Sequence, residues 1–229
     1  MKSTFFISLL AGSFFILHAQ KQERQVGAFE GIEVAGHYTV QLVQGTEGKV
    51  LLEGASDDLD QIETYLKRGV LIIKKKNTSW YKSWKSGKVK ITAPIEELSE
   101  VALSGSGSIH ADHTLEAEEF RVTLSGSGEI ELSIEAQEIK STLTGSGDLT
   151  LSGNASEVYY QLTGSGDIYA TALKSEKAEA AITGSGDIEM HSSDQFSASI
   201  TGSGDIVCFG NPEKQQIKTT GSGDVLIRN

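Results

Sequence analysis

Apolar and polar positions alternate with a period of two along most of the chain's second half. Phe120, Val122 and Leu124 alternate with Arg121 and Thr123, and Val158, Tyr160 and Leu162 behave likewise, as do Phe196, Ala198 and Ile200. Strict alternation predicts half-buried strands. Each run ends on Gly-Ser-Gly, at 105–107, 126–128, 145–147, 164–166, 184–186, 202–204 and 221–223. A shorter alternating run follows each tripeptide, as in Ile130, Glu131 and Leu132, or Ile188, Glu189 and Met190. The unit is therefore strand, Gly-Ser-Gly corner, strand and short polar connection, repeating at intervals of 21, 19, 19, 20, 18 and 19 residues.

The repeat is wider than the tripeptide. Leu103, Leu124, Leu143, Leu162, Ile182 and Ile200 stand two residues before each first glycine, and Thr219 is the exception. Ser108, Glu129, Asp148, Asp167, Asp187, Asp205 and Asp224 follow the tripeptide directly. Such columns predict an all-β, right-handed parallel β-helix of about seven coils, with like residues stacked roughly 4.8 Å apart. Glycine suits the corner because it accepts positive φ and lets neighbouring backbones approach. Antiparallel hairpins closed by Gly-Ser-Gly are the competing architecture. Two-residue hairpin turns usually read Asn-Gly or Gly-Asn, which does not match Gly-Ser-Gly-Asp.

Residues 20–98 lack the tripeptide. Strands are expected at 32–35, 38–43, 49–53, 70–74 and 88–92, the last ended by Pro94, with one helical turn within 55–62. This part is expected to cap the first coil and to form one continuous domain with the repeats of 99–229. The other end carries no obvious cap. There Val207 and Leu226 are apolar where earlier coils have Glu131, Thr150 and Glu189. That pattern suggests either a homo-oligomer formed through the C-terminal coil or a fold-back of the N-terminal part onto it.

Residues 1–19 read as a secretory signal peptide: Lys2, a 13-residue apolar run at 5–17, and Ala19 before the expected cut, with Gln20 next. The run is shorter than the ~20 residues of a membrane-spanning helix. No cysteine follows the expected cut, so a lipid anchor is not expected, nor is a transmembrane segment after cleavage. The single cysteine excludes a disulfide within the chain and a Cys-based zinc site. A net charge of −11 argues against nucleic-acid partners. The 25 glycines and 2 prolines are punctuation for stacked strands, since fourteen of those glycines fall in the seven corners.

The segment FEGIEVAGHYTVQLVQG at 29–45, followed by repeated Leu-Thr-Gly-Ser-Gly-Asp-Ile/Leu, resembles a known family over residues 29–227. The family is "putative auto-transporter adhesin, head GIN domain". The resemblance implies a right-handed β-helix exported by a Gram-negative bacterium to the periplasm, the outer surface or the medium. It supplies no catalytic residues, and no C-terminal membrane barrel is expected for this chain.

Three features are candidates for chemistry. Glu129, Asp148, Asp167, Asp187, Asp205 and Asp224 should stack as an acidic column. Two charges 4.8 Å apart repel by roughly 0.9 kcal/mol even in water, so the column needs relief. Hydrogen bonds from corner N–H groups are the structural solution. Calcium is the alternative, although it wants six to eight oxygens and each coil offers one carboxylate. The second feature is the stretch from Thr64 to Ile95, which has nine Lys or Arg and no acid, and holds Trp80, Tyr81 and Trp84 beside Lys82 and Lys85. Aromatic faces and lysines suit an anionic glycan or a lipid headgroup, and a cell-envelope protein is the other expected partner of the chain; a solvated hairpin covering the core edge is the structural reading. Third, carboxylates on adjacent coils, such as Asp167 and Asp187, would serve acid–base cleavage of a polysaccharide. The short, uniform coils and evenly spread acids argue against that, so no catalytic residue, metal ligand or cofactor is assigned. His110 and His113 lack a third ligand, Cys208 reads as a buried small hydrophobe, and the Thr columns lack the flat face of ice-binding solenoids. The expected function is a non-enzymatic, adhesin-like binding module. A polysaccharide-active enzyme and a self-associating structural protein are the alternatives.

Overall fold

The structure is a computed structural model that describes residues 20–76 and 87–229. The signal peptide and the Trp80, Tyr81, Lys82, Trp84 and Lys85 cluster lie outside the described residues. Seventeen strands share one hydrogen-bonded network. Eight precede or accompany the first corner: β1 (Gln20–Gly27), β2 (Gly31–Gly36), β3 (Thr39–Gln44), β4 (Gly48–Gly54), β5 (Ile62–Lys67), β6 (Val70–Lys75), β7 (Lys90–Ile95) and β8 (Glu100–Gly105). The repeats follow as β9 (Ser108–Gly126), β10 (Glu129–Gly145), β11 (Asp148–Gly164) and β12 (Asp167–Gly184). The last coils are β13 (Ile188–His191), β14 (Gln195–Gly202), β15 (Ile206–Phe209), β16 (Lys214–Gly221) and β17 (Val225–Arg228). One helical turn, α1 (Ser56–Leu59), falls within the expected 55–62.

Every pairing between consecutive repeats is parallel and in register, corner on corner: Gly105 with Gly126, Gly126 with Gly145, Gly145 with Gly164, Gly164 with Gly184, and onward to Gly221. The fold is a parallel β-solenoid, and the hairpin alternative is excluded. Between β10 and β11 the pairing skips one position, Gln137 against Ser156, and the neighbouring coils skip the same place. The uneven repeat lengths are absorbed at one other place, just after the run that follows each corner. In the 21-residue coil, the residues 111–113 face the single Leu132. In the 20-residue coil, Ala170 and Thr171 face Leu151.

The corners explain the glycines. Each first glycine from Gly105 to Gly221 has φ between 124° and 139°. A Cβ on Gly126, Gly145, Gly164, Gly184, Gly202 or Gly221 would come within 3.0 Å of the preceding coil's carbonyl oxygen. That carbonyl accepts the next coil's serine N–H: Ser127 to Gly105 at 2.9 Å, Ser146 to Gly126 at 2.8 Å, Ser165 to Gly145 at 2.9 Å and Ser185 to Gly164 at 2.8 Å. The second glycine of each corner lacks positive φ but is equally hemmed in by backbone.

Between the corners the core is a set of apolar columns. Leu103, Leu124, Leu143, Leu162, Ile182 and Ile200 are all buried, as are Ile109, Ile130, Leu149, Ile168, Ile188 and Ile206. Large and small residues share a column where Tyr160 pairs with Ser141 and Ala180. Tyr160 is fully buried and its hydroxyl has no partner among the described residues. Desolvation drives its pKa far above the ordinary phenol value.

The N-terminal part does more than cap. β2 and β3 form an additional coil, with Gly36, His37 and Tyr38 as its corner, in register with β8 and β9. β6 and β7 lie in parallel on β2 and β3. The lid proper is antiparallel: β4 pairs with β7, β1 with β4, and β5 with β6. Pro94 does not end its strand, because β7 runs through it to Ile95. The β4–β7 pairing ends at Leu51 and Thr92, so the missing N–H leaves no rung unmade. The opposite end has β16 and β17 as its last strands. Ile217 and Leu226 are 47% and 45% exposed there.

Gly164→Ala should be the more damaging of two glycine changes, since both φ and space oppose it; a loss of about 3 kcal/mol is expected. Gly48→Ala has positive φ but open space around its Cα, so about 1 kcal/mol is expected. Urea unfolding of both variants measures the difference. In the same assay Tyr160→Phe should leave stability equal or raise it by about 1 kcal/mol, since it removes a buried hydroxyl without breaking a bond.

Candidate functional site

The acidic column forms, and its interactions change along the stack. In the upper coils the N–H of Glu129, Asp148 and Asp167 donates to Gly107, Gly128 and Gly147 carbonyls at 3.0, 3.0 and 3.2 Å. From Asp167 downward the carboxylates become the acceptors. Asp167 Oδ1 accepts the Asp187 N–H at 2.9 Å, Asp187 Oδ1 that of Asp205 at 2.8 Å, and Asp205 Oδ1 that of Asp224 at 2.8 Å. These hydrogen bonds are charge-assisted. Tyr169 Oη also donates to Asp167 Oδ2, at 3.2 Å. Among the described residues no cluster of three or more His, Cys, Asp or Glu is disposed to hold a metal.

His110 and His113 point to different partners: His110 Nδ1 meets Glu131 Oε2 at 3.2 Å, and His113 Nδ1 meets Asp112 Oδ1 at 2.8 Å. Cys208 is buried, and desolvation pushes its pKa up to about 11, which opposes a reactive thiolate at neutral pH.

The aromatic–basic stretch can be located only by its flanks. β6 precedes it and β7 follows it. In the coil below, three residues, 36–38, make the corresponding corner. Between the paired residues Lys74 and Lys90 there are fifteen. Both ends are tied to α1: Lys76 Nζ donates to the Asp60 carbonyl at 2.6 Å, and the Gly87 N–H donates to Asp58 Oδ2 at 3.0 Å.

One concavity went unread in the sequence. An open groove of about 1080 Å³ lies where the cap turn at 95–98 overhangs the upper coils. Glu97, Glu116, Glu135, Gln137 and Asn154 line it, over a floor that includes Leu115 and Ala136. Glu47 fixes the overhang by accepting the Phe29 N–H at 2.9 Å and the Glu96 N–H at 3.2 Å. The stacked Ala117, Ala136 and Ala155 were the available signal: a small-residue column beside acids and amides.

The family model for "putative auto-transporter adhesin, head GIN domain" matches residues 28–212. The chain belongs to this family. Solved structures share the head GIN fold at low identity. A "putative adhesin" from Bacteroides fragilis is 21% identical with a TM-score of 0.81, over 91% of this chain and 96% of that one. A "putative lipid binding protein" from Parabacteroides distasonis is 22% identical with a TM-score of 0.72, over 93% and 97%. A "putative adhesin" from Parabacteroides merdae is 21% identical with a TM-score of 0.66, over 93% and 97%. No curated protein matches the sequence. The matched head GIN region stops before the seventh Gly-Ser-Gly corner.

Removing one carboxylate of the ladder should cost stability. Asp187→Ala is expected to lose about 1 kcal/mol, since the bond is charge-assisted but solvent-exposed. Asp187→Asn should recover most of that, because the amide oxygen still accepts. Asp148→Ala, whose side chain caps no N–H, should change little. Equilibrium denaturation of the three variants decides it; equal losses at 148 and 187 would refute the ladder.

Proposed function

We propose that this protein is an exported, non-enzymatic, adhesin-like binding module of the bacterial cell envelope that contacts a glycan or another envelope protein. The observation that carries this reading is the groove under the cap turn. It is open and lined by carboxylates and amides, and the coils below it are rigidly stacked. Amides and carboxylates in such a groove bind hydroxyl, amine or peptide groups by hydrogen bonds and do not suit an acyl chain. The lipid partner named for the Parabacteroides distasonis relative is therefore not carried over. Trp80, Tyr81 and Trp84, with Lys82 and Lys85, supply a second contact region of a different chemistry, in which aromatic faces stack on sugar rings and lysines attract anionic groups.

Binding of the purified protein to a glycan array and to envelope extracts tests the reading. Three samples are needed: the parent, Trp80→Ala/Trp84→Ala, and Glu116→Gln/Glu135→Gln. At least a tenfold loss in one double variant, with unchanged circular dichroism, is expected and assigns the site. Binding by the parent that both variants retain would place the contact elsewhere. No binding at all would sink the module reading.

A further inference from the structure

Gln20 is the first described residue and stands directly behind the expected cut after Ala19. Gln20 opens β1 and pairs with Gly54. It is exposed, and its side chain makes no hydrogen bond among the described residues. Its neighbours are engaged: Lys21 Nζ meets Glu53 Oε1 at 2.7 Å, and Gln22 Oε1 accepts from Arg24 Nη2 at 2.9 Å. A leader cut here therefore leaves an α-amine and an unengaged carboxamide on one solvent-exposed residue. The two groups belong to one residue and can close a five-membered ring, and intramolecular attack of that kind is strongly favoured over its bimolecular counterpart.

We infer that the mature chain begins with pyroglutamate formed from Gln20. The α-nitrogen bonds to the side-chain Cδ, the Cδ–Nε2 bond breaks, and ammonia leaves with a proton taken from the amine. Nothing is oxidised or reduced, and no co-reactant is consumed. The lactam keeps one N–H and the Gln20 carbonyl, so the rung to Gly54 remains. It removes the terminal cation from a strand edge and leaves no free amine for an aminopeptidase. The inference rests on the export reading, with the cut after Ala19.

Intact-mass analysis of freshly exported protein from a Gram-negative host tests it, with Gln20→Ala in parallel. Intact mass is required because Lys21 follows directly and a tryptic peptide would hold two residues. The expected chain starts at residue 20 and is lighter by one ammonia, about 17 Da. It resists N-terminal sequencing until pyroglutamate is removed enzymatically. Gln20→Ala should show no such loss and should sequence freely. A chain starting at residue 20 with full mass and a free amine would overturn the lactam but leave the export reading standing. A leader cut at another position would overturn the lactam alone, and a retained Met1 would overturn both.

Discussion

The structure depends on one backbone contact repeated at each corner: a glycine carbonyl of one coil accepting the serine N–H of the next, with no Cβ between them. Any side chain at the first glycine would strike that carbonyl, and its φ would be unfavourable besides. The contact sets the spacing between coils on one edge. The rest of each coil must then follow in register, because a slip of one residue would turn every core side chain outward. The apolar columns are thus a result of the corners as much as a cause of the fold.

Stacking like on like helps the core and burdens the surface. Leucine over leucine buries area; aspartate over aspartate repels. The chain answers the second problem in two ways. Along the corner it turns carboxylates into N–H acceptors from Asp167 onward. On the outer faces it varies the column, so that Arg121, Lys140, Tyr159 and Glu179 succeed one another, and Lys177 pairs with Glu157 across adjacent coils.

The repeats were legible because two independent periods, two within strands and about nineteen between corners, agree. The additional coil of β2 and β3 was not, because His37 and Tyr38 stand where serine and glycine stand elsewhere. β1 escaped notice since QKQERQVG has almost no apolar alternation; it is held by backbone pairing and by exposed ion pairs of Lys21 with Glu53 and Lys49 with Glu23. The acidic column could be placed from spacing alone. Which of its members act as acceptors could not, since the N–H of the column turns from a glycine carbonyl to a carboxylate at Asp187 with no change in the residues of the corner. The groove was hidden for another reason: its overhang and its floor are far apart in sequence, and Glu47, which fixes the overhang, lies in neither.

The carboxylate ladder also gives the stack a direction. From Asp167 to Asp205 each aspartate receives the N–H of the coil after it, so the ladder runs one way along the stack. The first end is closed by strands running the other way, which offer no matching corner. A further unit of about nineteen residues inserted after Asp167, Asp187 or Asp205 would therefore find both its glycine seat and its aspartate acceptor already in place.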